Sequence, residues 1–153
     1  MSHIELVADY LAGPELLCNA VAGMTDDQWD AKPIAGMWSC RQVVCHLADF
    51  EPVYADRMKR VIAESEPTFF GGDPEVFATR LAYEQRDLEV EIQIVESVRR
   101  QMGIILKTLS VEDFQRIGNH SEDGPLTLTT LLTNITQHLP HHLQFIAEKR
   151  AAM

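Results

Sequence analysis

Cysteine, basic residues and long apolar runs are all scarce in this sequence, and each scarcity removes a class of protein. The three cysteines, Cys18, Cys40 and Cys45, are an odd number with no CxxC pair, so a disulfide framework or a zinc knuckle does not fit and a reducing, cytoplasmic setting is expected. Thirteen Lys and Arg stand against 23 Asp and Glu, a formal net charge of −10. That balance repels phosphate backbones and anionic lipid surfaces, so neither nucleic acid nor membrane is an expected partner. No apolar run approaches the roughly 18 residues that span a bilayer, and the opening MSHIELVADY lacks the basic start of a secretion signal. Useful β-alternation, internal repeats and low-complexity tracts are missing as well.

What is present reads as helix. A chain of 153 residues, 46% of them hydrophobic, is long enough to bury a continuous core as one domain over 1–153. Ser2 and Glu5 form a capping box, after which Ile4, Val7, Leu11, Leu16 and Leu17 recur at helical spacing toward Met24. Gly13-Pro14 is expected to kink or interrupt that helix. A second box, Thr25 with Gln28, starts a short turn carrying Trp29, and Pro33 and Gly36 mark the loop that leads to Trp38.

Ser39 with Gln42 makes a third box, with Trp38 placed to staple onto Val43. The helix it opens has the core stripe Val43, His46, Leu47, Phe50, Tyr54, Arg57 or Met58, and Val61, with Pro52 expected to bend it. Residues 65–74 are a loop ending in Asp73-Pro74, which suits a helix start. Apolar positions from Leu81 through Leu88, Ile92, Val95, Val98, Met102 and Ile105 to Leu109 predict a third long helix over about Phe77 to Leu109. Gly118 to Pro125 is the last connection, and Thr127 caps a final helix with the stripe Leu128, Leu131, Ile135, His138, Leu139, His142 and Ile146. The economical architecture is an all-α four-helix bundle.

Three seam positions of that bundle are histidine. His138 and His142 are four residues apart, so they share one helix face at about 5 to 6 Å. His46 lies on the buried stripe of another helix. Buried imidazoles must hydrogen-bond or coordinate, since an unpartnered polar group costs roughly 1 to 3 kcal/mol. Three nitrogens from two facing helices predict a metal site with positions left for a reactant. A zincin-type protease is excluded, because HExxH needs glutamate where Leu139 stands. Pro140 between the two histidines cannot donate to the Thr136 carbonyl, so a bend is expected where the ligands are aimed.

The segments WSCRQVVCHLADFE and LTLTTLLTNITQHLPHHLQFI together resemble the DinB/YfiT-like family of metal-binding helical bundles, over nearly the whole chain. The resemblance implies that His46, His138 and His142 bind a divalent metal, usually nickel, zinc or iron. It also implies an up-down-down-up bundle with a long crossover between helices two and three, a small-molecule substrate such as a low-molecular-mass thiol, and possible homodimers. Many relatives continue the last ligand as His-Arg-Gly-Gln, whereas here His142 is followed by Leu143, Gln144 and Phe145.

The function expected on these grounds is a metal-dependent enzyme that transfers a small thiol or hydrolyses a related bond. Without an evident general base, its rival is a metal-binding or structural, stress-related bundle with no turnover. The sequence identifies no catalytic side chain. Asp49, one turn after His46, is placed to orient an imidazole, though an ion pair with Arg57 or Lys59 is the plainer reading. His120 is read as an exposed loop histidine within reach of the pocket mouth, where it would serve as acid-base group or fourth ligand. His3 and His141 read as surface, and Cys45 as turned away from the site into packing. Trp29, Trp38, Phe50, Tyr54, Phe69 and Phe70 read as core, with a pocket lining as the alternative.

Overall fold

The computed structural model describes residues 1–153. Four long helices form an up-down-down-up bundle: α1 (His3–Val21), α3 (Cys40–Ala63), α5 (Leu88–Leu106) and α6 (Leu128–Ala152). Around it the order is α1, α6, α3, α5. Two short helices lie in the connections, α2 (Asp26–Asp30) and α4 (Pro74–Arg80). The capping boxes at Ser2, Thr25 and Ser39 all form, with the side-chain oxygen of each accepting from the N3 backbone N–H. Asp73 with Pro74 opens α4, and Thr127 caps α6.

Two expectations are corrected. The stretch Phe77 to Leu109 is not one helix, because Ala82 adopts a left-handed conformation (φ 54°) and Asp87 supplies a second N-cap, accepting from Glu89 and Val90. The connection over Gly118 to Pro125 is not an irregular loop. It is a hairpin of β2 (Ile117–His120) and β3 (Gly124–Thr127), closed through Gly124 at φ 75°. β1 (Thr68–Phe69), from the crossover between α3 and α5, pairs parallel with β2 and sets Phe69 opposite His120. This small sheet lies against α3 and brings Gly71, Gly72 and His120 to the cavity that the histidines line.

The core is divided into two apolar layers. One holds Leu6, Val7, Tyr10, Ala55, Met58, Met102, Leu106, Leu131 and Ile135, the other Leu17, Leu47, Ala48, Val95, Leu139 and Ile146. Between them, on every helix, the chain crosses a polar level. Arg99 of α5, fully buried, pairs there with the fully buried Glu51 of α3. It donates from Nη1 to the Tyr10 carbonyl of α1 (2.8 Å) and from Nη2 to the Ile135 carbonyl of α6 (2.9 Å).

Gly13-Pro14 is the counterpart of this arginine. Pro14 has no N–H for the Tyr10 carbonyl, which is therefore free to accept from Arg99. A Cβ on residue 13 would lie 2.1 Å from Arg99 Nη1, so glycine makes the space. α1 accordingly runs through the dipeptide without interruption, and α3 and α6 likewise run through Pro52 and Pro140.

Two predictions follow from the polar level. Alanine in place of glycine inside a helix ordinarily gains up to about 1 kcal/mol, but overpacking of a filled interior costs about 1 to 3 kcal/mol. Gly13→Ala is therefore expected to lower the chemical-denaturation midpoint, and a rise would contradict the fit. The Tyr10 phenol, buried beside Glu51, is raised above its ordinary value. Its share of stability is present below pH about 10 and lost as pH rises past it, by roughly 1.4 kcal/mol per unit. Tyr10→Phe is expected to flatten the alkaline loss of stability while changing little at pH 7, where the hydroxyl has no partner to lose.

Candidate metal centre

α3 and α6 pack face to face, and their seams carry the three histidines to one point. Nε2 of His46 lies 2.9 Å from Nε2 of His138 and 3.1 Å from Nε2 of His142. The rings meet at steep angles, with centroids 4.5 to 4.8 Å apart. None of the three Nδ1 atoms has a hydrogen-bond partner in the protein, so packing sets the ring orientations. Trp38 and Phe50 flank His46 at 5.3 and 4.8 Å, and His141 and Phe145 flank His142 at 5.1 and 5.6 Å.

This donor set fits a cation. Burial, reinforced by the charge of His142, pushes the pKa of His46 down to about 4. Burial together with His46 and His142 pushes His138 down to about 3. Burial with His141 and Lys149 pushes His142 down to about 4. All three are neutral at pH 7, and a hydrogen on one Nε2 can satisfy only one of the two close contacts at a time, whereas a cation would engage all three nitrogens. Two nitrogens on one ion at bond lengths of about 2.0 to 2.1 Å stand about 2.8 to 3.4 Å apart as their angle opens from square to tetrahedral, and both separations from His46 fall in the lower half of that range. Imidazole nitrogen suits zinc, copper, nickel and iron alike.

A cavity of about 350 Å³ opens onto the three histidines, its wall including Trp38, Phe50, Tyr54, Arg57, Gly71 and His120. His120 is not the exposed loop residue expected. It ends β2, is 7% exposed and faces Phe69 edge-on at 5.9 Å. The backbone N–H groups of Glu122 and Asp123 donate to its Nδ1 at 3.1 and 3.2 Å. The Asp123 carboxylate, 3.5 Å from the same nitrogen, is 69% exposed and screened by solvent, so the two backbone donors decide the tautomer. The ring hydrogen is placed on Nε2, which bonds to nothing in the protein. His120 lies outside the three-nitrogen cluster, so it supplies a donor to the cavity and not a fourth ligand.

Asp49 does not orient an imidazole. Its two oxygens accept from Arg86 at 2.7 and 3.0 Å, in a pair that also includes Glu91. Arg57 and Lys59 take no part in that pair, contrary to the plainer expectation. Cys45 turns into packing as expected: its buried Sγ faces the Tyr83 carbonyl at 3.5 Å, and burial raises its pKa to about 12. His141 is exposed, whereas His3 is half-buried and stacks on Phe114 at 4.1 Å. Trp29 and Phe69 are core, Trp38, Phe50 and Tyr54 line the cavity, and Phe70 is exposed. The sequence marks Arg57 only as a stripe position or ion-pair partner. It is a buried part of the cavity wall, a role with no local sequence signal.

The profile of the DinB superfamily matches residues 10–146. The chain belongs to that superfamily. Among DinB relatives, a protein of Oceanobacillus iheyensis, named as a candidate metal-dependent hydrolase, is 29% identical over 133 residues, covering 87% of this chain and 77% of its own. A similarly named protein of Bacillus cereus is 28% identical over 137 residues, covering 90% and 79%. In three dimensions the chain is similar to YfiT from Bacillus subtilis, described as a probable metal-dependent hydrolase with an unusual four-helix bundle topology. The TM-score is 0.91 at 26% identity, over 99% of this chain and 89% of that one.

The tautomer of His120 is directly measurable. Long-range 15N–1H correlation spectra of the ring at neutral pH are expected to show hydrogen on Nε2, and a neutral ring protonated on Nδ1 would contradict the assigned bonding.

Proposed function

We propose that this chain is a divalent-metal-dependent hydrolase of small molecules, with His46, His138 and His142 as the ligands of the ion. The observation that carries the reading is the gathering of three neutral imidazoles, His46 buried and His138 and His142 half-buried, with their Nε2 atoms close together beside a cavity. The names of the DinB relatives and of YfiT support it. When bound, a divalent ion supplies Lewis acidity, bringing the ionisation of a coordinated water to about pH 7 and polarising a carbonyl or thiol group. Three neutral ligands leave the ion's charge uncompensated by protein, which strengthens that effect.

The chain's own residues do the rest. His46, His138 and His142 present lone pairs without first having to lose protons. Trp38 and Phe50 narrow the space around His46 and exclude bulk water from that side. His120 offers its Nε2–H to an oxygen that gains charge as a carbonyl is attacked, held ready by two backbone donors on its other nitrogen. Glu122 and Asp123, both exposed, are the only carboxylates lining the cavity, so any carboxylate proton acceptor must come from its rim.

Transfer of a small thiol is the second reaction such a site supports. It is favoured by the absence of a buried carboxylate base in the wall, since a thiol of pKa about 8.5 ionises far more easily than water.

Purified protein is expected to carry about one equivalent of divalent metal, with His138→Ala retaining a small fraction of it at unchanged helicity. Equal metal content in both would defeat the ligand assignment. Screening of esters, amides and thiol-transfer pairs with and without a chelator then tests turnover. Activity abolished by the chelator and restored by metal is expected, and metal binding without any chelator-sensitive turnover would leave the non-catalytic, metal-binding alternative.

A further inference from the structure

Arg57 has no use in the chemistry described so far. It is 6% exposed, yet no carboxylate lies within salt-bridge distance of it, whereas the fully buried Arg99 has Glu51 and the half-buried Arg86 has Asp49 and Glu91. Its single hydrogen bond runs from Nη2 to the Phe70 carbonyl at 2.6 Å. Its Nε is sealed from solvent without a partner, and its Nη1 bonds to nothing in the protein. The guanidinium lies 4.9 Å from the Tyr54 ring centre and 5.7 Å from that of Phe69, which fixes it in place without neutralising it. A buried charge with most of its five donors idle is costly unless something anionic completes it.

Arg57 also lines the cavity that opens onto the three histidines. It reaches that wall from α3 about three turns beyond His46, so one rigid element carries both the charge and a ligand of the same space. The rim acids do not take the place of a partner. Glu122 and Asp123 are exposed, and neither reaches the guanidinium.

We propose that Arg57 is the anchor of an anion subsite, receiving a carboxylate of the substrate while the reacting group of the same molecule lies at the three histidines. The inference deepens the function proposed above and rests on it for the reacting end, but recognition of the carboxylate is a property of Arg57 alone. A carboxylate is preferred to a phosphate because one guanidinium matches a single negative charge, and the acids at the mouth oppose a second. The substrate class is accordingly a small monocarboxylate whose length spans the cavity.

The test titrates metal-loaded and metal-stripped protein with alkanoates from acetate to octanoate, matched primary alcohols and matched alkyl phosphates, read by tryptophan fluorescence with Trp38 in the cavity wall. At the best-fitting length the alkanoate is expected to bind about tenfold or more tightly than the alcohol. That preference is expected to vanish in Arg57→Met, survive in part in Arg57→Lys and persist in Arg100→Gln, which removes an equal charge from the exposed face of α5. Equal affinity for alkanoate and alcohol in the wild-type protein would overturn the proposal, and that comparison stands even if Arg57→Met does not fold. An alkanoate preference retained in folded Arg57→Met would overturn it equally, and tighter binding of the phosphates would refute the carboxylate class. Metal content is expected to be the same in Arg57→Met and wild type. Metal-stripped protein is expected to keep the alkanoate preference, and a wild-type protein that takes up no divalent metal yet shows that preference would sink the hydrolase reading and leave the subsite standing.

Discussion

One side chain holds the bundle in register. Arg99 reaches from α5 to a carbonyl of α1, a carboxylate of α3 and a carbonyl of α6. It is the only charged group of α5 that enters the core fully, and it meets all three other long helices at one level. A buried pair of this kind adds little net stability over apolar packing, but removing one partner costs about 3 to 5 kcal/mol because the other charge is stranded. Its consequence is geometric. Apolar layers tolerate sliding by a residue or so, whereas a guanidinium whose donors are committed in three directions does not.

That constraint is felt at the histidines. Ile135, whose carbonyl Arg99 holds, is three residues before His138 on α6, and Glu51 is five residues after His46 on α3. The two helices that supply the nitrogens are thus tied to the same arginine within about one and a half turns of the point where the nitrogens meet. A slip of one residue moves a helix by about 1.5 Å. Such a slip is half of the 2.9 to 3.1 Å separations observed and would break the convergence. The rings themselves receive no hydrogen bond at Nδ1, so helix register and aromatic packing carry the precision that a ring-to-carboxylate bond commonly supplies in metal sites.

Much of this was legible in the residues. The capping boxes at Ser2, Thr25 and Ser39, the cap at Thr127 and the stripes of α3 and α6 are local signals that the structure follows closely. Spacing alone brought His138 and His142 onto one face and His46 onto the facing seam. What was missed depends on contacts distant in sequence. β1 and β2 are two and four residues long, lie fifty positions apart and show no alternation, so the burial of His120 had no local sign. The break before α5 was nearer to hand, since Asp87 before Leu88 is a start signal, but the apolar spacing ran through it. Gly13-Pro14 reads locally as a helix breaker, and it becomes an acceptor site only when Arg99 arrives from 86 residues away.

The charge layout gives the site its chemical character. The protein as a whole carries a formal charge of −10, yet the wall around the histidines contributes neutral imidazoles, an indole, a fixed N–H donor and an unpaired guanidinium, with its carboxylates confined to the exposed rim. A cation there would keep most of its charge instead of sharing it with protein anions, as carboxylate-ligated sites do. Trp38, Phe50 and Tyr54 give the space an apolar wall that cannot solvate that charge, so the field acts on whatever enters. Such a field favours a guest that brings its own negative charge and develops more of it on reaction. On the function and subsite proposed above, that combination corresponds to an acyl or thiol group attacked or ionised within a small anion.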